Sequence, residues 1–115
     1  MKEINIKDIV GEHCSERNSN GNIIGGKEIR QMIESFWNSE QKISISFKNI
    51  KTITPSFIDE AIGKLALKYD FSELQSKLEF KNYTELIKAR INKVIFLRNS
   101  QRKNNNTSSK IASSQ

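Results

Sequence analysis

The chain has 115 residues, enough for one compact domain with a tail but hardly for two domains. Hydrophobic residues make up 36% of it, and its longest unbroken apolar run, Val94 to Leu97, has four residues. A membrane-spanning helix needs roughly 20 apolar residues and a secretory signal needs an apolar segment after Met1, so we expect neither. The single cysteine excludes an intramolecular disulfide, which suits a cytoplasmic protein.

Apolar spacing predicts the element order β-α-β-α-β-α. Alternating patterns predict three strands, at residues 3–7, 42–47 and 77–80. In the second strand, Ser44 and Ser46 fall on the face opposite the isoleucines. Helical spacing predicts three amphipathic helices, at residues 27–37, 55–69 and 83–95. Because βα alternation requires crossover connections, we expect an α/β fold in which helices cover a small mixed sheet.

Two segments lack this periodicity. Residues 11–26 are rich in glycine, asparagine and serine, which predicts a long loop whose role the sequence leaves open. Residues 99–115 contain runs of asparagine and serine with little hydrophobicity, which predicts a disordered basic tail. The sequence therefore predicts one domain at 1–98 and a tail at 99–115.

The positive charge is concentrated at one end of the chain. Residues 81–115 carry eight Lys and Arg against one acidic residue, Glu85, whereas residues 1–80 are nearly neutral. One interpretation is a solvated helix face with a solubilising tail. The other is a surface for nucleic acid or an acidic partner, whose candidate residues are Lys88, Arg90, Lys93, Arg98, Arg102 and Lys103.

The chain lacks the motifs of three common kinds of active site. One histidine and one cysteine cannot form a His/Cys zinc site, and neither a Walker-type phosphate loop nor a G-x-S-x-G elbow is present. Asp59 and Glu60 are neighbours on a predicted helix and point about 100 degrees apart, so they form no convergent acid pair. We therefore expect a binding module that is not an enzyme and that needs no metal or other cofactor.

Thr54 and Pro55 predict the start of the second helix. Threonine is a good N-cap, and proline at the first helical position loses no hydrogen bond. Two interpretations of Ser56 follow. Either its hydroxyl group helps to cap the helix together with Asp59, or Thr54 is the cap and Ser56 is free.

The segment from Ser46 to Leu65 resembles the signature of STAS domains, the fold of the anti-sigma factor antagonists. In particular, Ile53-Thr-Pro-Ser-Phe-Ile-Asp-Glu-Ala61-Ile-Gly63 is similar to a bacterial STAS-like family of unassigned function. The resemblance implies a regulatory module that docks on a histidine-kinase-like ATPase. It also implies that Ser56 is the phosphoacceptor and that the partner-binding residues are Thr54, Pro55, Ser56, Phe57, Ile58 and Asp59.

Three positions of this segment depart from the pattern of the anti-sigma antagonists. Thr54 replaces the usual aspartate, Pro55 a small hydroxyl residue, and Phe57 the glycine that usually follows the phosphoacceptor. We expect Pro55 to stiffen the loop. Phe57 is expected to place a large apolar side chain where the partner approaches.

Overall fold

The computed structural model describes the backbone of residues 1–113 and the side chains of residues 1–104. Its elements in chain order are β1 (Lys2–Asn5), α1 (Ile6–Val10), β2 (His13–Cys14), α2 (Gly26–Phe36), β3 (Ile43–Ser46), β4 (Thr52–Ile53), α3 (Pro55–Ala61), a 3-10 helix (Gly63–Leu67), α4 (Phe71–Lys77), β5 (Leu78–Lys81) and α5 (Glu85–Ser113). The predicted α/β class is confirmed.

Three parallel strands form the main sheet, in the order β1-β3-β5. Ile4 pairs with Ile45, which pairs with Phe80 on the other side. Every pairing between the strands named above is parallel, where the sequence analysis expected a small mixed sheet. The physical reason is that each pair of neighbouring strands is joined by a connection that includes helices, which returns the chain in the same direction.

Strand β3 is buried on both faces because it lies at the centre of this sheet. The isoleucines Ile43 and Ile45 are fully buried as predicted, but Ser44 and Ser46 are buried as well. The alternating pattern placed the serines on the face opposite the isoleucines, and in the structure that face is buried too. The hydroxyl group of Ser46 accepts a hydrogen bond from the Asn82 amide, at 3.0 Å.

A second, two-stranded parallel sheet takes one of its strands, β2, from the region predicted as a loop. In it, β2 pairs with β4, so that His13 lies opposite Thr52 and Cys14 opposite Ile53. This pairing attaches the early part of the long loop to the segment that leads into α3. The loop region is therefore fixed where it passes the start of α3.

The helix predicted over residues 55–69 is divided into two elements. Helix α3 ends at Ala61, and a 3-10 helix follows from Gly63. A Cβ atom at Gly63 would lie 2.5 Å from Asp59 Oδ1 and 3.0 Å from Val94 Cβ. Glycine at this position therefore permits the close approach of this segment to α5, and the regular α-helix is interrupted at the same point.

Helix α4, which the sequence analysis missed, begins with a capping box between Asp70 and Glu73.

The last helix continues past the predicted domain boundary at residue 98. Asn99 is buried, and its amide donates to the Ala66 carbonyl at 2.7 Å. The predicted disordered tail at 99–115 therefore does not begin at residue 99, and residues 114 and 115 lie outside the described residues.

Among the helices that the structure describes, none combines the length and the apolar character needed to cross a membrane.

Candidate functional site

The bend before α3 is held by the hydroxyl group of Thr54. Its Oγ1 accepts a hydrogen bond from the Phe57 amide at 3.1 Å and donates one to the Ser15 carbonyl at 3.0 Å. The Thr54 amide donates to the Cys14 carbonyl, which extends the β2–β4 pairing. Thr54 is thus the N-cap, with Pro55 at the first helical position, as the sequence predicted.

Pro55 and Ser56 are exposed at the outer side of this bend. Because Thr54 provides the cap, the Ser56 hydroxyl is not needed for it. Within the described part of the chain, that hydroxyl group makes no hydrogen bond to the protein. The interpretation of Ser56 as a cap assisted by Asp59 is therefore wrong, and the alternative that leaves Ser56 free agrees with the structure.

Phe57 and Ile58 point in the opposite direction, into the core. Both side chains are 0% exposed. They fill the space under α3, so they cannot contact a partner while the domain is folded. The two residues are therefore removed from the predicted partner-binding set, and the expectation that Phe57 faces an approaching partner is wrong. The apolar stripe of a helix buries such side chains whether or not a binding motif overlaps it.

Asp59 is also turned inward, where two arginines bind its carboxylate. Arg98 of α5 makes a two-pronged contact, with Nε 2.9 Å from Oδ1 and Nη2 2.6 Å from Oδ2. Arg17, from the loop after β2, places Nη1 2.8 Å from Oδ2. Asp59 is thus a structural residue that ties the loop and α5 to α3, and it too leaves the predicted partner-binding set.

Glu60 forms a second buried ion pair beside the first. Arg30 of α2 places Nη1 2.6 Å from Glu60 Oε2 and also donates to the Glu60 carbonyl at 2.7 Å. Lys64 lies 2.9 Å from Oε1, and Arg17 reaches the same oxygen at 3.4 Å. The two neighbouring carboxylates therefore join α2, α3, α5 and the long loop, and Arg17 contacts both of them.

These contacts keep both carboxylates ionised. The hydrogen bonds from Arg98 outweigh the effect of burial and hold the pKa of Asp59 below its ordinary value, and Arg17 adds to this. For Glu60, burial alone would raise the pKa, but hydrogen bonds from Arg30 and Lys64 together reverse the direction and lower it. The ion pairs raise the pKa values of Arg17 and Arg98, chiefly through Asp59. The carboxylates are therefore anions that hold neighbouring elements together.

A surface groove lies between the start of α3 and helix α5. One part has a volume of about 430 Å³ and is lined by residues that include Pro55, Ser56, Lys93 and Leu97. A second part, of about 390 Å³, is lined by Ile53, Thr54, Pro55, Leu86 and Arg90 among others. The two parts share Pro55 and Arg90 and so form one surface, which we call the α5 groove. Ser56 also lines a more open cavity of about 590 Å³ on the side of the long loop, together with residues 15–20.

The six predicted nucleic-acid-binding residues do not share one environment. Lys88 and Lys93 are exposed, but Arg90 donates to the Ile53 carbonyl at 2.7 Å and Arg98 is bound to Asp59. Lys88 lines a different cavity, with Phe80 and Tyr83. Arg102 and Lys103 lie further along α5, and Arg102 acts electrostatically on Asp70. Arg90 and Arg98 are thus bound to groups within the protein, and Lys88 lies on another face.

Two further residues of the long loop, His13 and Cys14, carry side chains of the kind that bind metals or react as nucleophiles. Cys14 is buried, and burial raises the pKa of its thiol to about 11, so the thiolate is not populated at neutral pH. His13 is exposed and its Nδ1 lies 2.8 Å from Thr52 Oγ1. Among the residues that the structure describes, no three His, Cys, Asp or Glu side chains are grouped to hold a metal ion.

Sequence reasoning missed two features of this region. Arg17 comes from a loop without periodicity and lies 42 residues from Asp59, so no local pattern relates them. The second feature, the exposure of Leu97, could have been predicted from the sequence. The apolar run from Val94 to Leu97 is longer than one helix face can bury, and the structure indeed buries Val94 and Ile95 but exposes Phe96 and Leu97.

The fold and the groove define a small α/β domain with a parallel sheet and a surface groove beside a helix start. A family model described as a STAS-like domain of unknown function (DUF4325) matches residues 25–88, which is more than half of the chain. The chain therefore belongs to this STAS-like family, and the resemblance found in the sequence is confirmed. STAS-like domains are generally non-enzymatic. Comparison with curated proteins and with solved structures gives no match.

Proposed function

We propose that this protein is a non-enzymatic regulatory module that docks on another protein through the exposed bend at Pro55 and Ser56. The observation that carries the proposal is that the two hydroxyl residues, Thr54 and Ser56, have different roles. Thr54 caps the helix, whereas Ser56, one position past the proline, is exposed and free. An exposed hydroxyl group without a structural task is available to a partner and to a modifying enzyme.

The proposed partner is a histidine-kinase-like ATPase of the anti-sigma type, acting in the cytoplasm, with Ser56 as the phosphoacceptor. Membership of a STAS-like family supports this class of partner. The surroundings of Ser56 support the modification, because Arg17 and Lys93 line the same concave surface. A phosphate carries about −1.5 to −2 charges at neutral pH, and nearby cations make such a group tolerable within the domain.

The alternative is a nucleic-acid-associated adaptor that uses the basic residues of α5. It has less support, because Arg90 and Arg98 already make contacts within the protein and Lys88 lies on a different face from Lys93. Binding through scattered lysines would be weak and steeply salt-dependent. The nucleic-acid adaptor is therefore the second candidate function.

The proposal is tested by co-expression of the full chain with the host ATPase that co-purifies with it, followed by mass spectrometry of Ser56. We expect one phosphate on the peptide that contains Ser56, and none on the Ser56→Ala variant. In pull-downs from the same host, Ser56→Ala is expected to retain the ATPase and Ser56→Asp to lose it. An unmodified Ser56, together with equal retention by both variants, contradicts the proposal.

A further inference from the structure

Helix α5 presents an exposed stripe along the groove. Leu86, Arg90, Lys93, Leu97 and Gln101 occupy positions i, i+4, i+7, i+11 and i+15, which fall on one face of an α-helix. All five line one of the two parts of the α5 groove. The stripe therefore runs the length of the groove, with Pro55 and Ser56 opposite its middle.

Two positions of this stripe, Leu86 at its start and Leu97 one turn before its end at Gln101, are apolar and exposed. The side chain of Leu86 is 58% exposed and that of Leu97 is 48% exposed. Along a helix the two leucines are separated by about 16 Å, which is three turns. Leucines that lie along a groove with this exposure are typical of a surface that another apolar element covers.

The centre of the groove is positively charged. Among the described residues, its lining includes Arg17, Lys51, Arg90, Lys93 and Arg98, with Asp59 as the acidic residue. Asp59 is already neutralised by its two arginines. Lys51 is paired with Glu12, so the positive charge between the leucines that no acidic side chain offsets belongs to Lys93 and to Arg90, whose guanidinium donates to the neutral Ile53 carbonyl.

We infer that the α5 groove binds an acidic amphipathic helix of the partner protein. About three turns of such a helix would place apolar side chains on Leu86 and Leu97 and acidic side chains beside Lys93, which makes no ion pair within the described residues. Charge complementarity selects an acidic segment, and the two exposed leucines favour a peptide over a nucleic acid, whose phosphates would leave them uncovered.

This inference rests on the proposed function and gives it a physical mechanism. Ser56 lines the same part of the groove as Lys93. A phosphate on Ser56 adds negative charge where the acidic segment lies and competes for the same cations. The phosphorylated domain would therefore release its partner through charge repulsion, without any change of fold.

The experiment selects peptides of about 16 residues from a random displayed library on the full chain, and measures each selected peptide by fluorescence anisotropy. We expect sequences with acidic residues between two apolar positions. Lys93→Glu is expected to weaken their binding roughly tenfold or more, and Leu97→Ser to weaken it as well. Lys88→Glu is the matched control, because Lys88 is an exposed lysine of α5 that lines a different cavity, and it should leave binding unchanged.

Three results would overturn the inference. They are a selection without enrichment of acidic peptides, equal affinity of the wild type and Lys93→Glu, and loss of binding on Lys88→Glu as large as on Lys93→Glu. A labelled single-stranded DNA that binds with an affinity sensitive to Lys93→Glu, when no peptide does, would favour the nucleic-acid adaptor instead. Circular dichroism of each variant verifies that it is folded.

The Ser56→Asp variant separates this inference from the proposed function. If Lys93→Glu abolishes peptide binding and Ser56→Asp leaves it intact, the groove is correct and the phosphorylation switch is wrong. If Ser56→Asp releases the ATPase in pull-downs while Lys93→Glu affects neither peptides nor ATPase, the switch is correct and the groove is wrong.

Discussion

Two adjacent stretches of one helix, residues 54–56 and residues 57–60, have opposite surroundings. The first holds the exposed Pro55 and Ser56, and the second is buried in the part of the fold where α3 packs against α2 and α5. A sequence motif that spans both stretches therefore contains two kinds of residue, one available for recognition and one that maintains the fold. The proposed recognition surface is completed by α5, which lies more than 25 residues further along the chain.

The largest expected contrast is between two adjacent side chains, Phe57 and Ser56. Phe57→Ala removes a fully buried aromatic ring and should lower the free energy of unfolding by about 3–5 kcal/mol. Ser56→Ala, the control, changes an exposed hydroxyl group and should stay within about 0.5 kcal/mol. Urea denaturation followed by circular dichroism measures both. Similar losses for the two variants would mean that the division of this helix start into buried and exposed parts is wrong.

A smaller effect is expected at the ion pair that joins α5 to α3. Arg98→Met removes both hydrogen bonds from that guanidinium to Asp59 but leaves Arg17 in place, so we expect a loss of about 2 kcal/mol. Lys93→Met is the matched control, because Lys93 is an exposed cation five residues earlier on the same helix. Equal losses in the two variants would show that Arg98 contributes only as a surface charge.

The pH dependence of the Arg98→Met effect gives an independent test. The pKa of Asp59 in the folded protein lies below its ordinary value of 3.8, so the ion pair stabilises the fold above that value. This stabilisation is lost as the pH falls through the lowered pKa. The difference in unfolding free energy between wild type and Arg98→Met should therefore be largest at neutral pH and shrink below pH 3.8. A difference that stays constant down to the lowest pH at which both fold would contradict the assignment.

The cap of α3 offers a still smaller contrast between two hydroxyl residues. Thr54→Ala removes the acceptor for the Phe57 amide and should cost about 1 kcal/mol. Thr54→Ser keeps an oxygen at the same place and should recover most of that loss. Urea denaturation of both variants, beside Ser56→Ala, decides which hydroxyl group caps the helix. A loss on Ser56→Ala equal to that on Thr54→Ala would reassign the cap.

Local signals predicted the parts of the fold that depend on neighbours in sequence. The Thr54-Pro55 helix start and the strand at Ile43 were found because capping and alternation act over a few residues. The burial of Ser44 was missed because it depends on the position of β3 between two other strands. The contact of Arg17 with Asp59 was missed for the same reason, since it joins positions 42 residues apart.

The α5 groove shows the same limit at the level of function. Lys88 and Lys93 look equivalent in the sequence, yet Lys93 lines the groove with Ser56 and Lys88 does not. The two lysines differ only in where the packing of α5 against α3 places them. The family match ends at residue 88, so Lys93 and Leu97 lie outside the part of the chain that the family model covers.

The smallest expected effect on stability, that of Ser56→Asp, matters most for interpretation. Ser56 is the second residue of α3, where a negative charge is favoured by the helix dipole, and Arg17 and Lys93 line the same surface. We therefore expect its free energy of unfolding to stay within about 0.5 kcal/mol of the wild type, or to rise slightly. Chemical denaturation at low and high salt measures this, and any gain should diminish with salt. If Ser56→Asp were instead destabilised by as much as Thr54→Ala, then loss of the ATPase in a pull-down would reflect partial unfolding, and the charge-repulsion mechanism would lose its main support.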